Sequence, residues 1–72
     1  MWYQTLVNVN VREAPDVLSP IALNGAAVIP KGTTFGVDSI VKGKPFQGID
    51  MYLHRADQLG FMLNSPQLVR QV

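Results

Sequence analysis

Apolar and polar residues alternate strictly near the start of the chain. From position 7 the sequence reads Val-Asn-Val-Asn-Val-Arg, which places Val7, Val9 and Val11 on one face of an extended segment. Because successive side chains of a β-strand point to opposite faces, this alternation predicts a half-buried strand. Residues 2–6 either extend this strand upstream or form a separate edge strand.

Two further strands are predicted in the middle of the chain. Residues 26–29 are apolar throughout, which predicts a short strand that is buried on both sides. Residues 33–41 form the longest strand candidate, and Gly36 within it predicts a bend of the kind that a small barrel needs in order to close. The apolar residues on one face of this strand are Phe35, Val37 and Val41.

The second half of the chain continues the strand pattern. Residues 42–45, Lys-Gly-Lys-Pro, predict a polar hairpin loop. In the strand that follows, one predicted face carries Ile49, Met51 and Leu53. The opposite face carries Asp50, Tyr52 and His54. Residues 59–63 predict the next strand, and its inward side chains are Leu59, Phe61 and Leu63.

Turn signals separate these strands at short intervals. Asn-Gly at 24–25 is the strongest two-residue turn signal, and further turns are predicted at 30–32 and 56–58. Residues 64–66 predict one tight turn of 3₁₀ type, and residues 67–72 predict a last strand. The prolines and glycines leave no interval long enough for an α-helix.

These patterns predict one all-β domain over residues 1–72. We expect five to six short antiparallel strands that close into a small barrel, with no α-helix beyond the 3₁₀ turn. The predicted common core consists of Val9, Val11, Phe35, Val37, Leu53 and Phe61.

The composition points to association with other chains. The chain has no cysteine and one histidine, so neither a disulfide nor a four-ligand zinc site stabilises this small core. Charged residues make up 15% of the chain, against about 25% in a typical soluble domain. The low charge and the net charge of +1 predict a surface partly covered by neighbouring chains. The alternative is a neutral monomer whose surface carries many amide and hydroxyl side chains.

Neither a signal peptide nor a membrane span is predicted. The N-terminus lacks a basic flank and an apolar core, and the longest apolar run, 26–29, ends at Pro30. We therefore expect the protein in the cytoplasm or as part of a particle, without a membrane partner.

Candidate catalytic residues lie on the polar face of the strand predicted after the hairpin loop. Asp50, Tyr52 and His54 share that face, and Asp57 follows in the next turn. A carboxylate beside a histidine is half of a catalytic triad, but the chain has no cysteine and no serine in a nucleophile elbow. Alternate strand residues also lie about 7 Å apart. We therefore predict no catalytic residues, no metal and no cofactor.

The basic residues do not predict a nucleic-acid partner. Lys42 and Lys44 flank Gly43 at the predicted loop tip, where they could touch phosphate. However, five acidic residues nearly cancel the six basic residues of the whole chain, and nucleic-acid binders usually carry a clear basic excess.

Aromatic residues are the best candidates for partner contacts. Trp2 and Tyr3 either fold back as a lid on the barrel or insert into a partner, and Phe46 raises the same alternatives. A polar groove for a peptide or glycan could be formed by Asn8, Asn10, Asp50 and Tyr52. The binding candidates are Trp2, Tyr3, Phe46, Asp50, Tyr52 and His54.

Several segments resemble the bacterial SH3-type (SH3b-like) domain. Residues 9–15, Val-Asn-Val-Arg-Glu-Ala-Pro, are similar to its first strand, and Lys-Gly-Thr at 31–33 is similar to its turn before the long strand. Gly-Phe-Met at 60–62 and residues 64–68 resemble its ending. The likeness extends over about residues 6–69, and Met51 stands where the family often has tryptophan.

The resemblance implies an SH3-like barrel and a binding function. Wall-binding modules of this family are usually attached to hydrolases, whereas this sequence begins at a methionine and we expect no enzyme domain attached to it. We therefore expect a non-catalytic protein-interaction module, an accessory or structural subunit of a larger homo- or hetero-oligomeric assembly such as a phage particle. The alternative is a cell-wall targeting module that binds peptidoglycan or a peptide in association with a lytic enzyme.

Overall fold

The computed structural model of the chain describes residues 1–21, 28–56 and 60–72. Within these ranges the protein is all-β, with antiparallel strands and no helix. Accordingly, the described part of the chain contains no helix that is long and apolar enough to cross a membrane. The predicted turn at 24–25, residues 26–27 of the predicted short strand, and positions 57–59 with Asp57 and Leu59 lie outside the described residues.

The described part of the chain forms seven strands in two sheets. The strands are β1 (Trp2–Thr5), β2 (Val9–Asn10), β3 (Val28–Ile29), β4 (Thr34–Phe46), β5 (Ile49–Arg55), β6 (Phe61–Leu63) and β7 (Val69–Gln71). One sheet has the order β6-β5-β4-β1-β7, and the other pairs β2 with β3. The sheets meet where Arg12 and Phe61 each donate a backbone hydrogen bond of 2.8 Å to the other's carbonyl oxygen.

The N-terminal segment forms an internal strand. β1 lies between β4 and β7 in the five-stranded sheet, so it is separate from β2 and is not an edge strand. This additional strand raises the number above the predicted five to six. Val7 is exposed because it lies in the bend between β1 and β2, where the predicted alternation does not apply.

The long strand β4 pairs with two different neighbours. Its first residues pair with β1, and from Val37 onward it pairs with β5. A register shift between Val37 and Ser39 marks an irregularity beside Gly36, where the sequence predicted a bend. Such irregularities re-aim a strand, and here they accompany its passage from one partner to the next.

The core confirms most of the predicted set. Its members are Tyr3, Val9, Val11, Ile29, Phe35, Val37, Leu53, Met62 and Val69, with Leu68 packed against them. Phe61 is the exception, because Met62 pairs directly with Leu53 and therefore shares its core face. Met62 is 1% exposed, whereas Phe61 is half-buried with its ring 4.9 Å from the ring of His54.

The predicted hairpin loop at 42–45 is wrong. These residues belong to β4, and the chain reverses at Gln47 and Gly48, between the paired residues Phe46 and Ile49. Gln47 has φ 51° and Gly48 has φ 82°. Two consecutive positive φ angles characterise a type I′ turn, whose twist matches that of the flanking strands. The turn predicted at 30–32 is confirmed.

Other predicted orientations also change. Val28 is exposed, so β3 is buried on one side only, and Met51 is exposed near the start of β5. The tight turn predicted at 64–66 forms over 65–68, where the Leu68 N–H donates to the Ser65 carbonyl oxygen at 3.0 Å, an i→i+3 hydrogen bond of 3₁₀ type. The Val69 N–H donates to the same oxygen at 3.0 Å, and the chain then enters β7.

Candidate binding groove

The segment after β2 folds into a closed loop over residues 13–20. At its base, the Glu13 N–H donates to the Pro20 carbonyl oxygen at 3.0 Å. At its tip, the Asp16 carboxylate accepts a hydrogen bond from the Leu18 N–H at 2.8 Å. This local pairing presents Leu18, whose side chain is 77% exposed, to solvent. We refer to this segment as the 13–20 loop.

The 13–20 loop is attached to β4. The Lys44 N–H donates to the Pro15 carbonyl oxygen at 2.9 Å. Glycine at position 43 makes this approach possible, because a Cβ there would overlap the Pro15 carbonyl oxygen and lie 2.7 Å from Cδ1 of Tyr52. Gly43 is therefore required for contact between the loop and the strand, and not for the hairpin turn that its sequence context suggested.

Tyr52 lies beneath this attachment. The sequence placed it on an outward polar face, but it is 0% exposed and its hydroxyl donates to the Lys44 carbonyl oxygen at 2.7 Å. Burial raises the pKa of the Tyr52 phenol, and the negative charge of Asp16 acts in the same direction. The ring supports the wall of the groove and has no exposed surface for a ligand.

A groove opens between the 13–20 loop and the hairpin turn after β4. It encloses about 230 Å³, and its lining residues are Asn8, Val9, Asn10, Arg12, Val17, Phe46, Leu63 and Leu68. A second hollow of about 120 Å³ shares the lining residues Phe46 and Leu63 with it. Because Phe46 lines both hollows, we refer to the two together as the Phe46 groove.

The Phe46 groove combines an apolar floor with polar edges. Val9 and Leu63 are buried beneath it, while the Phe46 ring is 39% exposed beside it. Asn10 is exposed at one edge, and the Arg12 guanidinium is held by the Ser19 carbonyl oxygen at 3.3 Å. Such an arrangement suits a ligand that offers both apolar groups and hydrogen-bonding groups.

The predicted binding residues are distributed over several places. Phe46 lines the groove, as do Asn8 and Asn10, which the sequence suggested for a polar groove. Trp2, 61% exposed, lines a separate hollow of about 290 Å³ with Phe35, Arg55 and others. Tyr3 is buried in the core.

Asp50 does not join the groove. Its carboxylate lies 3.8 Å from Nζ of Lys42, and the Lys42 side chain is largely exposed while that of Asp50 is partly exposed. An exposed ion pair of this length contributes little to stability. Asp50 and His54 therefore do not act together, although they lie on the same strand.

His54 is paired with Asp38 on the neighbouring strand. Its Nδ1–H donates to Oδ1 of Asp38 at 2.7 Å, and the Ser39 hydroxyl donates to the same oxygen at 2.9 Å. These hydrogen bonds, that of His54 first, hold the pKa of Asp38 below its usual value. A catalytic triad needs the serine hydroxyl on the histidine, whereas here it is on the carboxylate. The cluster also lines none of the three hollows described above.

The sequence did not indicate several groove residues. Val17, Leu63 and Leu68 meet only because the 13–20 loop, β6 and the turn before β7 converge, and no local pattern reports that convergence. Gly43 is visible in the sequence, but its neighbours predicted a hairpin loop there and not a close contact with another segment. Within residues 1–21, 28–56 and 60–72, no group of three or more histidine or acidic side chains is arranged to hold a metal ion.

Comparisons with known proteins give no relative. No protein-family model, no curated protein and no solved structure matches this chain.

Proposed function

We propose that the protein is a non-catalytic interaction module that binds a segment of another protein chain in the Phe46 groove. It serves as an accessory or structural subunit of a larger assembly, such as a phage particle. The observation that carries this proposal is the exposed Phe46, which lines two hollows together with the buried Leu63.

The groove chemistry favours an extended peptide. Alternate side chains of such a peptide enter apolar hollows while its backbone presents donors and acceptors. Phe46 and Leu63 supply apolar contacts to both hollows, and Asn10 supplies an amide that donates and accepts hydrogen bonds. Aromatic residues in such positions commonly act as interface anchors.

We also propose that the two sheets form an SH3-like barrel of the bacterial SH3 type. Support comes from the Arg12–Phe61 bridge, which joins the sheets, and from the single core to which both contribute. The irregular β4, which pairs with β1 and then with β5, is the kind of strand that small barrels use to turn a corner.

A peptidoglycan-binding role is the second candidate. The observation in its favour is the Phe46 ring close to the exposed Asn10 amide in one groove. A sugar ring has an apolar face that packs on an aromatic ring and hydroxyl groups that bond to amides. In this case the protein targets a lytic enzyme to the cell wall.

The test is selection of binders from a random peptide library on the immobilised wild-type protein. Selected peptides should bind Phe46→Ala at least tenfold more weakly, equivalent to about 1.4 kcal/mol. Met51→Ala is the matched control, because Met51 is similarly exposed and lies outside the groove. The control should bind like the wild type.

Purified cell-wall sacculi provide the second arm of the test. Retention on sacculi that is lost in Phe46→Ala and kept in Met51→Ala would favour the peptidoglycan role over the peptide role. If neither peptides nor sacculi bind, or if Phe46→Ala binds normally, the Phe46 groove is not the binding site.

A further inference from the structure

The two edge strands of the five-stranded sheet differ in whether their outer backbone groups are hydrogen-bonded to another segment. At one edge, Phe61 of β6 exchanges two backbone hydrogen bonds with Arg12. At the other edge, β7 pairs with β1 and with no other strand among the residues that the structure describes. The outer side of β7 therefore offers backbone groups to an additional strand.

The hydrogen-bond pattern identifies which residue of β7 faces outward. Leu6 donates to the Leu68 carbonyl oxygen at 2.8 Å, and the Val72 N–H donates to the Trp2 carbonyl oxygen at 3.0 Å. Backbone groups alternate between the two sides of an antiparallel strand, so the N–H and C=O of Gln71 point away from β1.

β7 lacks the usual protection of an exposed edge. Natural edge strands often carry a proline, a bulge or a charge that repels an incoming strand. The one charged residue of β7 is Arg70, whose guanidinium donates to Oε1 of Gln4 through Nε at 3.0 Å and Nη2 at 2.8 Å. Its charge is thus held over β1 rather than over the open edge.

We propose that this edge pairs with the β7 edge of a second copy of the chain. The two strands are antiparallel and related by a twofold axis, with Gln71 opposite Gln71 of the copy. Each Gln71 N–H then donates to the other Gln71 carbonyl oxygen. This homodimer goes beyond the proposed function, since it uses none of the residues that line the Phe46 groove.

The self-complementary pairing of Arg70 with the exposed Val72 favours this register and a second copy as the occupant. Pairing centred on Arg70 would oppose two like charges directly, which destabilises a strand pair. Pairing centred on Gln71 places Arg70 opposite Val72 of the copy, so that the aliphatic part of Arg70 covers a side chain that is 58% exposed. A net charge of +1 gives little general repulsion between two copies.

The interface is small, so the dimer should be weak. A three-residue edge provides two direct backbone hydrogen bonds and limited apolar burial. Sedimentation equilibrium on the full chain should show the monomer mass at low concentration and a rising dimer fraction as concentration increases.

Two variants test the edge directly. Gln71→Pro removes the outward N–H without removing a bond to β1, and it should remain folded by circular dichroism and stay monomeric. Gln71→Thr keeps that N–H and should dimerise like the wild type. A wild type that stays monomeric at all concentrations would overturn the proposal and leave the edge to a foreign strand or to water.

A charge exchange tests the register without proline. Gln71→Lys and Gln71→Glu should each be monomeric at low salt, because the twofold axis opposes like charges. An equimolar mixture of the two should form a heterodimer. If either variant self-associates like the wild type, or if Gln71→Pro does, the interface lies elsewhere. Phe46→Ala should dimerise normally, and a failure of dimerisation leaves peptide binding in the groove unaffected.

Discussion

The hydroxyl of Tyr52 donates a hydrogen bond to the carbonyl oxygen of Lys44 at 2.7 Å. The same Lys44 residue donates its backbone N–H to Pro15 of the 13–20 loop. One residue of β4 thus connects a buried ring to the loop that forms a wall of the Phe46 groove.

Replacement of Tyr52 by phenylalanine should destabilise the protein by about 1 kcal/mol, because it removes one hydrogen bond to a partly buried carbonyl. Tyr3→Phe is the matched control, since Tyr3 is also buried and its hydroxyl makes no hydrogen bond to the described residues. Urea unfolding followed by circular dichroism measures both. Equal losses in the two variants would show that the Tyr52 hydroxyl contributes nothing specific.

Gly43→Ala should detach the 13–20 loop from β4. The new methyl group overlaps the Pro15 carbonyl, so we expect a cost of about 1–3 kcal/mol. Hydrogen exchange of the Lys44 amide should accelerate more than exchange in β1. Gly32→Ala is the control, because its positive φ strains the backbone but no atom lies within 4 Å of the added Cβ. If the Lys44 amide exchanges at the same rate in Gly43→Ala and in Gly32→Ala, the contact between Lys44 and Pro15 does not depend on Gly43 as described.

Met62→Ala should destabilise the protein by about 2–5 kcal/mol, since it leaves a cavity in the core. Phe61→Ala should cost clearly less, although the hydrophobic pattern alone assigns Phe61 to the core. The physical reason is that Met62 pairs with Leu53 and Phe61 pairs with the half-buried His54. Thermal unfolding of both variants shows whether Met62 or Phe61 faces the core. A larger loss of stability for Phe61→Ala would contradict the pairing of Met62 with Leu53.

Acid should weaken the contact between Asp38 and His54. The pKa of Asp38 is depressed in the folded protein, so its contribution to stability is fully present above the ordinary aspartate value of about 3.9. That contribution is lost as the pH falls through the folded value. Asp38→Asn should therefore lose less stability than the wild type between about pH 5 and pH 2.

The control for this pH prediction is His54→Asn, which removes the same hydrogen bond from the other side. It should flatten the acid response only in part, because the Ser39 hydroxyl still donates to Asp38, and the double variant should behave like Asp38→Asn. If both single variants lose as much stability in acid as the wild type, the contact between Asp38 and His54 does not contribute to the pH dependence of folding. Urea midpoints at each pH provide the measurement.

The alternation of apolar and polar residues along the chain predicted much of this fold. It identified the all-β class and the buried positions Val9, Val11, Phe35 and Val37, because strand periodicity reports directly which side chains face inward. The sequence also offered Phe46 either as a lid on the barrel or as a partner contact, and the structure shows it exposed and lining the groove.

The remaining features depend on contacts between distant segments. Tyr52 is buried because the 13–20 loop covers it, and a strand pattern does not report such cover. His54 is paired with Asp38 rather than with Asp50 because of the register of β4 against β5, which includes an irregularity between Val37 and Ser39. Long-range register of this kind is set by tertiary packing.

Backbone amide chemical-shift mapping with a library-selected peptide tests the Phe46 groove most directly. We predict the largest shifts at Asn10, Val17, Phe46 and Leu63, because these residues line the groove from four different segments. We predict no such shifts in Phe46→Ala at the same peptide concentration. Shifts concentrated instead around the separate hollow beside Trp2 would contradict the assignment of the Phe46 groove as the binding site.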